Sequence, residues 1–424
     1  MKILIADTLE KSAIEGLKEA GCEVVYQPGL KDASLAEAIA GTGADVLVVR
    51  STHVTETMMD AGRLSLIVRA GAGTNTIDVK AASKRGIYVS NCPGKNAVAV
   101  AELTFGLILA LDRRIPDNAA ELSARKWNKK EFSKAKGLQG RTLGLLGFGH
   151  VGQEVAKRAQ AFGMNLVIWS EIGVTVDRDG IPVDLPVLLR IRPASYSLIE
   201  SAIQVALTPA EVAEKCDILS IHLAANEKTI GLVNADILDR LKPGSYVINT
   251  ARADILDHAA LERVVKEKNI RVGMDVYPNE PESAMADFDF PMSRLQAVYG
   301  THHIGASTEQ AQEAIAAEAV RIIRTYKEKG IVPNVVNLEV HSPATHSLIV
   351  RHLDRPGVLA SIFDTLRDNS INVQETECIV FAGAMAAVVR INLDSAPSQE
   401  VLDSLKKACT NILDLHLVEL DARN

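Results

Sequence analysis

Three charged or titratable side chains lie just beyond three successive apolar runs in the second half of the chain. Arg252 follows Tyr246–Thr250 in NTARADILD. Glu280 lies beyond Val272–Asp275 in DVYPNEP, and His303 follows Ala297–Tyr299 in YGTHHIGAST. If each run is a parallel strand, all three groups reach the carboxyl edge of one sheet, where open α/β sheets bind ligands. The chemistry they suit is hydride transfer at a 2-hydroxy acid. An arginine grips a carboxylate through two parallel N–H bonds. A histidine takes or returns the hydroxyl proton near neutral pH. A carboxylate beside it orients the ring and favours its protonated form. Taken singly, each has a plainer reading: a solvated loop arginine, a turn glutamate before proline, a capping histidine.

A second group of residues would bind rather than react. Gly147-Phe148-Gly149-His150-Val151-Gly152 follows the apolar run Thr142–Leu146 and opens a helical pattern, Gln153–Phe162. In that context the first glycine permits a tight turn, the second lets the backbone approach a pyrophosphate, and the third lets helix and strand pack closely. The helix N-terminus adds the positive end of a dipole. The next apolar run ends at Ser170-Glu171. An acid about 20 residues after the turn would bond ribose hydroxyls and repel a 2′-phosphate, which favours NAD. Ser170 is the alternative occupant of that position.

These groups need a sheet to position them, and the chain is built for one. It has 424 residues, 47% apolar and 23% charged, which suits two or three globular domains. Short apolar runs alternate with amphipathic segments from MKILIAD onward, so the expected class is α/β with parallel, doubly wound sheets. The net charge of −7 argues against nucleic acid as main partner. The longest apolar stretch, Ala97–Leu111, is interrupted by Glu102 and is short of the ~20 residues of a membrane span. Five scattered cysteines show no metal or redox spacing, so no metal site is expected. A soluble protein of the reducing cytoplasm is the expectation. Gly330–Thr345, with two prolines and no helical period, reads as a linker. Beyond it the pattern is βαββαβ, a ferredoxin-like third domain.

The strings VVRST (Val48–Thr52), RAGAGTNTID (Arg69–Asp78), NCPGKNAVAVAELT (Asn91–Thr104), GLLGFGHVG, NTARADILD, MDVYPNEP and HHIGASTEQAQ resemble, in order and spacing, the D-isomer-specific 2-hydroxyacid dehydrogenases. The resemblance implies that Arg252 binds the substrate carboxylate, His303 is the acid/base and Glu280 pairs with it. His302 takes the place of a common proline. It implies cofactor contacts at Gly147, Gly149, His150, Val151 and Gly152, at Ser170 or Glu171, and at Leu223, Thr250, Ala251, Asp275, Gly305 and Ala306. Arg50, Ser51, Arg69, Ala72 and Gly73 would face the substrate, with Arg50 meeting a phosphate. The implied activity is NAD-dependent oxidation of 3-phospho-D-glycerate, towards serine. Alternatives are another 2-hydroxy acid (hydroxypyruvate, glyoxylate, 2-hydroxyglutarate) or a non-catalytic NADH-sensing scaffold.

The resemblance also implies a discontinuous substrate domain, residues 1–105 and 302–330, a nucleotide-binding Rossmann domain at 106–301, a linker at 331–345 and a tail domain at 346–424. The tail, through RPGVL, resembles the ACT domains, which sense amino acids. Related dehydrogenases bind L-serine between paired modules, and the matching positions here are His352, Asp354 and Asn372. Asp354 replaces an expected asparagine. Its carboxylate could hold an effector's ammonium or repel its carboxylate. The alternative is a tail that only dimerises. A homodimer or homotetramer is expected. The stretch from Glu171 to Cys216 is about 20 residues longer than such connections usually are. It could cover the cofactor, make an oligomer contact or be a surface loop.

Overall fold

Three- to five-residue runs, most of them rich in Val, Ile and Leu, form the strands that carry the site. The structure, a computed structural model, describes residues 1–171, 203–281, 285–295, 298–339 and 342–420. The chain forms two units, Met1–Asn337 and Leu338–Asn424.

In the first unit, β1 (Lys2–Ile5), β2 (Glu23–Tyr26), β3 (Val46–Val49), β4 (Leu66–Arg69) and β5 (Tyr88–Asn91) make one parallel sheet in the order β2-β1-β3-β4-β5. A second parallel sheet contains β6 (Thr142–Leu146), β7 (Asn165–Trp169), β8 (Ile203–Val205), β9 (Ile218–Ile221), β10 (Tyr246–Asn249), β11 (Arg271–Met274) and β12 (Val298–Gly300). Its order is β12-β11-β10-β9-β6-β7-β8. The order reverses direction between β6 and β9, which opens a crevice beside the glycine turn. All four residues of β3, β9 and β10 are buried. That is why these strands read as continuous apolar runs rather than alternating ones.

The helix Glu309–Lys329 returns to the first sheet. Thr308 caps it by accepting the Ala311 N–H at 3.2 Å, and Gly330, at φ +69°, ends it. Its Ile315, Ala316, Ala319, Ile322 and Ile323 share a core with Ile3, Ile5, Val46, Val48 and Leu66, and with Ala13 and Leu17 of the helix Lys11–Glu19. Gly16 sits at the crossing, where a Cβ would lie 3.3 Å from Val320. The helix Ala97–Arg113 instead buries Ala101, Phe105, Leu107, Ile108 and Leu111 in a core with Leu143, Leu145 and Ile248 of the second sheet. Residue 105, the end of the first segment expected from the sequence, lies within this helix.

The expected linker is not bare. Residues 333–337 lie along β5: Ser90 Oγ donates to the Pro333 carbonyl (2.6 Å), Val336 N–H to Val89 O (2.9 Å), and Val89 N–H to Asn337 Oδ1 (2.8 Å). The long segment after Glu171 lies mostly outside the described residues. Its described end forms β8 and the helix Pro209–Lys215. The charged stretch after Arg113 contains a helix, Ile115–Ser123, which opens with Pro116.

The second unit is one antiparallel sheet of β13 (His346–Leu353), β14 (Val373–Val380), β15 (Ala386–Leu393) and β16 (Ile412–Glu419), in the order β14-β15-β13-β16. Ile362 and Leu366 of the helix Val358–Asp368 and Leu405 of the helix Gln399–Ala408 pack against Leu348, Val350, Val389 and Ile391.

Candidate active site

The turn after β6 has the shape that its glycines suggest. Gly147 has φ +101°, and a Cβ there would lie 2.6 Å from the His222 carbonyl oxygen. A Cβ on Gly152 would strike the Gly147 carbonyl. Gly149 differs: nothing lies within 4 Å of the place its Cβ would take. It is also the N-cap of the helix His150–Ala161, which has no side-chain cap. The first-turn N–H groups are thus left to an outside acceptor, which fits a dinucleotide pyrophosphate. Glu171 stands two residues past β7, where its carboxylate accepts from Asn226 Nδ2 at 3.1 Å. An acid there suits the free ribose hydroxyls of NAD. The buried Leu223 lies just past β9. The ring of His150 lies against Gly94, where a Cβ would come within 2.8 Å of it.

The next three strands deliver the reactive groups. His303 Nδ1 and Glu280 Oε2 are 2.6 Å apart, and Glu280 Oε1 accepts the Tyr277 N–H at 2.7 Å. Burial pulls the Glu280 carboxyl upward, but the bonds to His303 and Tyr277 outweigh it and hold it below the ordinary carboxylate value. His303 has φ +52°, a backbone state that a non-glycine residue keeps only when its surroundings impose it. Asp275 imposes it. This buried carboxylate accepts from Thr301 Oγ1 (2.6 Å), Ile304 N–H (2.9 Å) and Gly305 N–H (2.8 Å), on both sides of His303. Ala306 closes the loop by accepting from Gln312 Nε2 at 2.6 Å. Thr250, after β10, shares a 3.0 Å hydroxyl contact with Thr104.

Arg252 donates to the Ala251 carbonyl at 2.6 Å and leans over Gly73, where a Cβ would lie 2.6 Å from its Nη2. Arg69 fills the space left by Gly71, and its buried Nε has no partner. Burial, then the charges of Arg252 and Arg50, push the Arg69 guanidinium down to about 10. Ala72 accepts from Asn91 Nδ2 at 2.5 Å. Arg50, Arg69, Arg252, Glu280 and His303 thus stand at or just past the carboxyl ends of β3, β4, β10, β11 and β12, with Arg252 the common neighbour of Gly73, Arg69 and Glu280.

Several residues that build this site carried no signal by type or spacing. Asp7 receives the N–H groups of Arg50, Ser51 and Thr52 on one carboxylate oxygen, at 2.6, 3.0 and 3.0 Å. Burial alone would raise its carboxyl, but these bonds hold it below the ordinary value. Asn249, wholly buried, accepts the Ala251 N–H and donates to the Arg252 carbonyl, both at 3.0 Å. An acid at the end of the first strand and an asparagine at the end of the tenth are visible in the sequence, but only the fold gives them partners.

The effector positions do not meet within one chain. Asn372 precedes Val373, which is level with Leu393 and His346, whereas Asp354 follows Leu353, level with Ala386. They stand at opposite ends of the sheet, roughly 25 Å apart at ~3.3 Å per residue. His352 is 2% exposed, with Nδ1 2.9 Å from the Leu353 carbonyl and Nε2 buried without a partner.

Fold and site define an NAD-dependent dehydrogenase of 2-hydroxy acids, and comparison with known proteins agrees. The family model for the D-isomer specific 2-hydroxyacid dehydrogenase catalytic domain matches residues 3–337, and an ACT domain model matches residues 353–418. The chain belongs to that dehydrogenase family and carries a C-terminal ACT domain. It is 34% identical to a D-3-phosphoglycerate dehydrogenase of Methanocaldococcus jannaschii, over 91% of this chain and 68% of the relative. It is 37% identical to a hydroxypyruvate reductase of Thermotoga maritima, over 78% of this chain and 99% of the relative. The crystal structure of NAD+-bound 3-phosphoglycerate dehydrogenase from Entamoeba histolytica superposes with a TM-score of 0.62 at 27% identity, covering 80% of this chain and 99% of that one. Among the described residues, no helix is long and apolar enough to cross a membrane.

Proposed function

We propose that this enzyme oxidises 3-phospho-D-glycerate to 3-phosphohydroxypyruvate. The carrying observation is the arginine group. A substrate carboxylate occupies one arginine. Here Arg50, Arg69 and Arg252 lie close enough that, after burial, the charges of Arg252 and Arg50 lower the pKa of Arg69. Among the described residues, none of the three is ion-paired to a protein carboxylate. Such a site suits a substrate with a second anionic group.

Arg252 holds the carboxylate, and Arg50 meets the phosphate with Arg69 beside it. His303 Nδ1 is committed to Glu280, so Nε2 takes the C2 hydroxyl proton. The Glu280 carboxylate stabilises the imidazolium that results. Bound at the glycine turn, NAD supplies the acceptor for the C2 hydride. Asp275 and Asn249 keep the histidine and arginine loops in place. The substrate-facing domain of this reading comprises the first sheet with the helix Glu309–Lys329, and the nucleotide domain is inserted between them. The buried thiols of Cys22, Cys92 and Cys216 suit a reducing cytoplasm.

The relative from M. jannaschii, matched through the tail as well, supports this substrate. The one from T. maritima favours a second reading, with unphosphorylated hydroxypyruvate as substrate. A kcat/KM panel of 3-phosphohydroxypyruvate, hydroxypyruvate, glyoxylate and 2-oxoglutarate with NADH decides between them. A preference of tenfold or more for the phosphorylated acid is expected, and equal or better use of hydroxypyruvate refutes the proposal. For the tail, we propose a small-molecule effector held between two copies, because one copy separates His352 and Asp354 from Asn372. L-serine is the first compound to add to the panel.

A further inference from the structure

We propose that Tyr277 is a positioning residue that holds Glu280 and His303 in register, and that Gly300 is a glycine to make room for its hydroxyl. The inference rests on the reading of Glu280 and His303 as the proton-transfer pair.

Glu280 and His303 stand on separate loops, which leave the adjacent strands β11 and β12. Tyr277 ties both. Its backbone N–H donates to Glu280 Oε1 at 2.7 Å. Its hydroxyl donates to the Thr301 carbonyl at 2.9 Å, two residues before His303, with the Met274 carbonyl 3.1 Å away as a second acceptor. The ring is fixed in direction. Phe290 and Phe288 meet it edge-on, with centroids at 5.0 and 5.5 Å. A Cβ on Gly300 would collide with the hydroxyl and lie 3.2 Å from Cζ. Gly300 does not have a positive φ. Its backbone therefore does not call for glycine; the neighbouring hydroxyl does. Burial, with Asp275 nearby, pushes the Tyr277 phenol up to about 12, so it stays a donor throughout the working range. The strained backbone of His303 needs ties from outside its own loop. Asp275 supplies three, and the Tyr277 hydroxyl supplies another, from a residue whose backbone N–H also holds Glu280.

The test uses the full-length enzyme, NADH and 3-phosphohydroxypyruvate, or hydroxypyruvate if that is the better substrate. Tyr277→Phe keeps the ring and removes the hydroxyl. It should lower the single-turnover rate of NADH oxidation about tenfold, because small misplacements of reacting groups carry large rate penalties. Substrate KM and NADH Kd should stay within about twofold. Gly300→Ala should give the same split, because its methyl displaces the hydroxyl. The double variant should also lose about tenfold rather than about a hundredfold, because the methyl then fills the vacated space. His303→Gln serves as the reference for lost proton transfer. Wild-type rates in Tyr277→Phe and Gly300→Ala, beside an inactive His303→Gln, would overturn the positioning role. So would a multiplicative loss in the double variant, or equal changes in rate, KM and Kd. A His303→Gln enzyme with full turnover would overturn the reading of the pair itself.

Discussion

Replacing Arg69 with glutamine should stabilise the ligand-free protein and impair it on phosphorylated substrate. The guanidinium is held down from 12.5 to about 10, by burial first and then by Arg252 and Arg50. At ~1.4 kcal/mol per pH unit, this opposes the charged form by about 3 kcal/mol, an upper bound for a group that keeps some solvent. A lowered arginine is charged and strained at every pH below about 10, so neutral pH carries the full cost. Glutamine removes the charge and keeps part of the stem. The thermal midpoint without ligand should rise by several degrees, at ~2–4 °C per kcal/mol, less the loss of stem packing. Inorganic phosphate should raise the midpoint of the wild type more than that of the variant. In steady state, kcat/KM for 3-phosphohydroxypyruvate should fall ~10–100-fold, the worth of one charge-assisted hydrogen bond. For hydroxypyruvate it should change by less than about threefold. A lowered midpoint would refute the idea that the three arginines oppose one another. Equal losses on both substrates would place Arg69 on the shared carboxylate instead.

Arg50→Ala should abolish the preference for the phosphorylated acid while leaving kcat on hydroxypyruvate near wild type, read from the same panel. His303→Gln should cut turnover by about a thousandfold or more, with NADH affinity by fluorescence within about twofold. Gly149→Val should fold with a nearly unchanged midpoint but bind NADH at least tenfold more weakly, because its side chain enters only ligand space; Gly152→Ala should lower the midpoint as well, because its methyl strikes the Gly147 carbonyl. Glu318 is 6% exposed, and Arg321, Asn334 and Lys95 hold its carboxyl down at about 2. Its contribution to stability, up to about 3 kcal/mol, is complete above pH ~4.5 and fades as pH falls towards 2. Glu318→Gln should therefore flatten acid unfolding between those values, as followed by circular dichroism.

Local chemistry made much of this protein readable. The glycine turn stood between an apolar run and a helical period; Gly147 and Gly152 have steric reasons inside the protein, and Gly149 leaves open space beside the helix N-terminus. The tail strands and helices begin and end within a residue or two of their turn signals. Arg252, Glu280 and His303 each follow a strand, so strand order alone sends them to one edge. What escaped was set by distance in space. Asp7 faces Arg50 across 43 positions, and Asn337 meets Val89 across 248. Nothing local marks the helix Glu309–Lys329 as a partner of the first helix rather than of the sheet just completed. The three residues of β8 lacked the apolar length that marks a strand, and only pairing with β7 makes them one. The effector residues were legible as types but not as a site, because the sheet sends them to opposite ends.

The returning helix also sets a schedule for synthesis. The first sheet lacks one wall of its core until residues 309–329 have left the ribosome, and its β5 edge stays open until residue 337 has. At ~5–20 residues per second, the earliest strands wait roughly 15–70 s for their closing helix. The second sheet draws its helices and strands from a continuous stretch and can close before then. A stalled or truncated chain ending before residue 309 would therefore present a finished nucleotide-binding half beside an unfinished, apolar one. It is on this intermediate that chaperones and proteases would act.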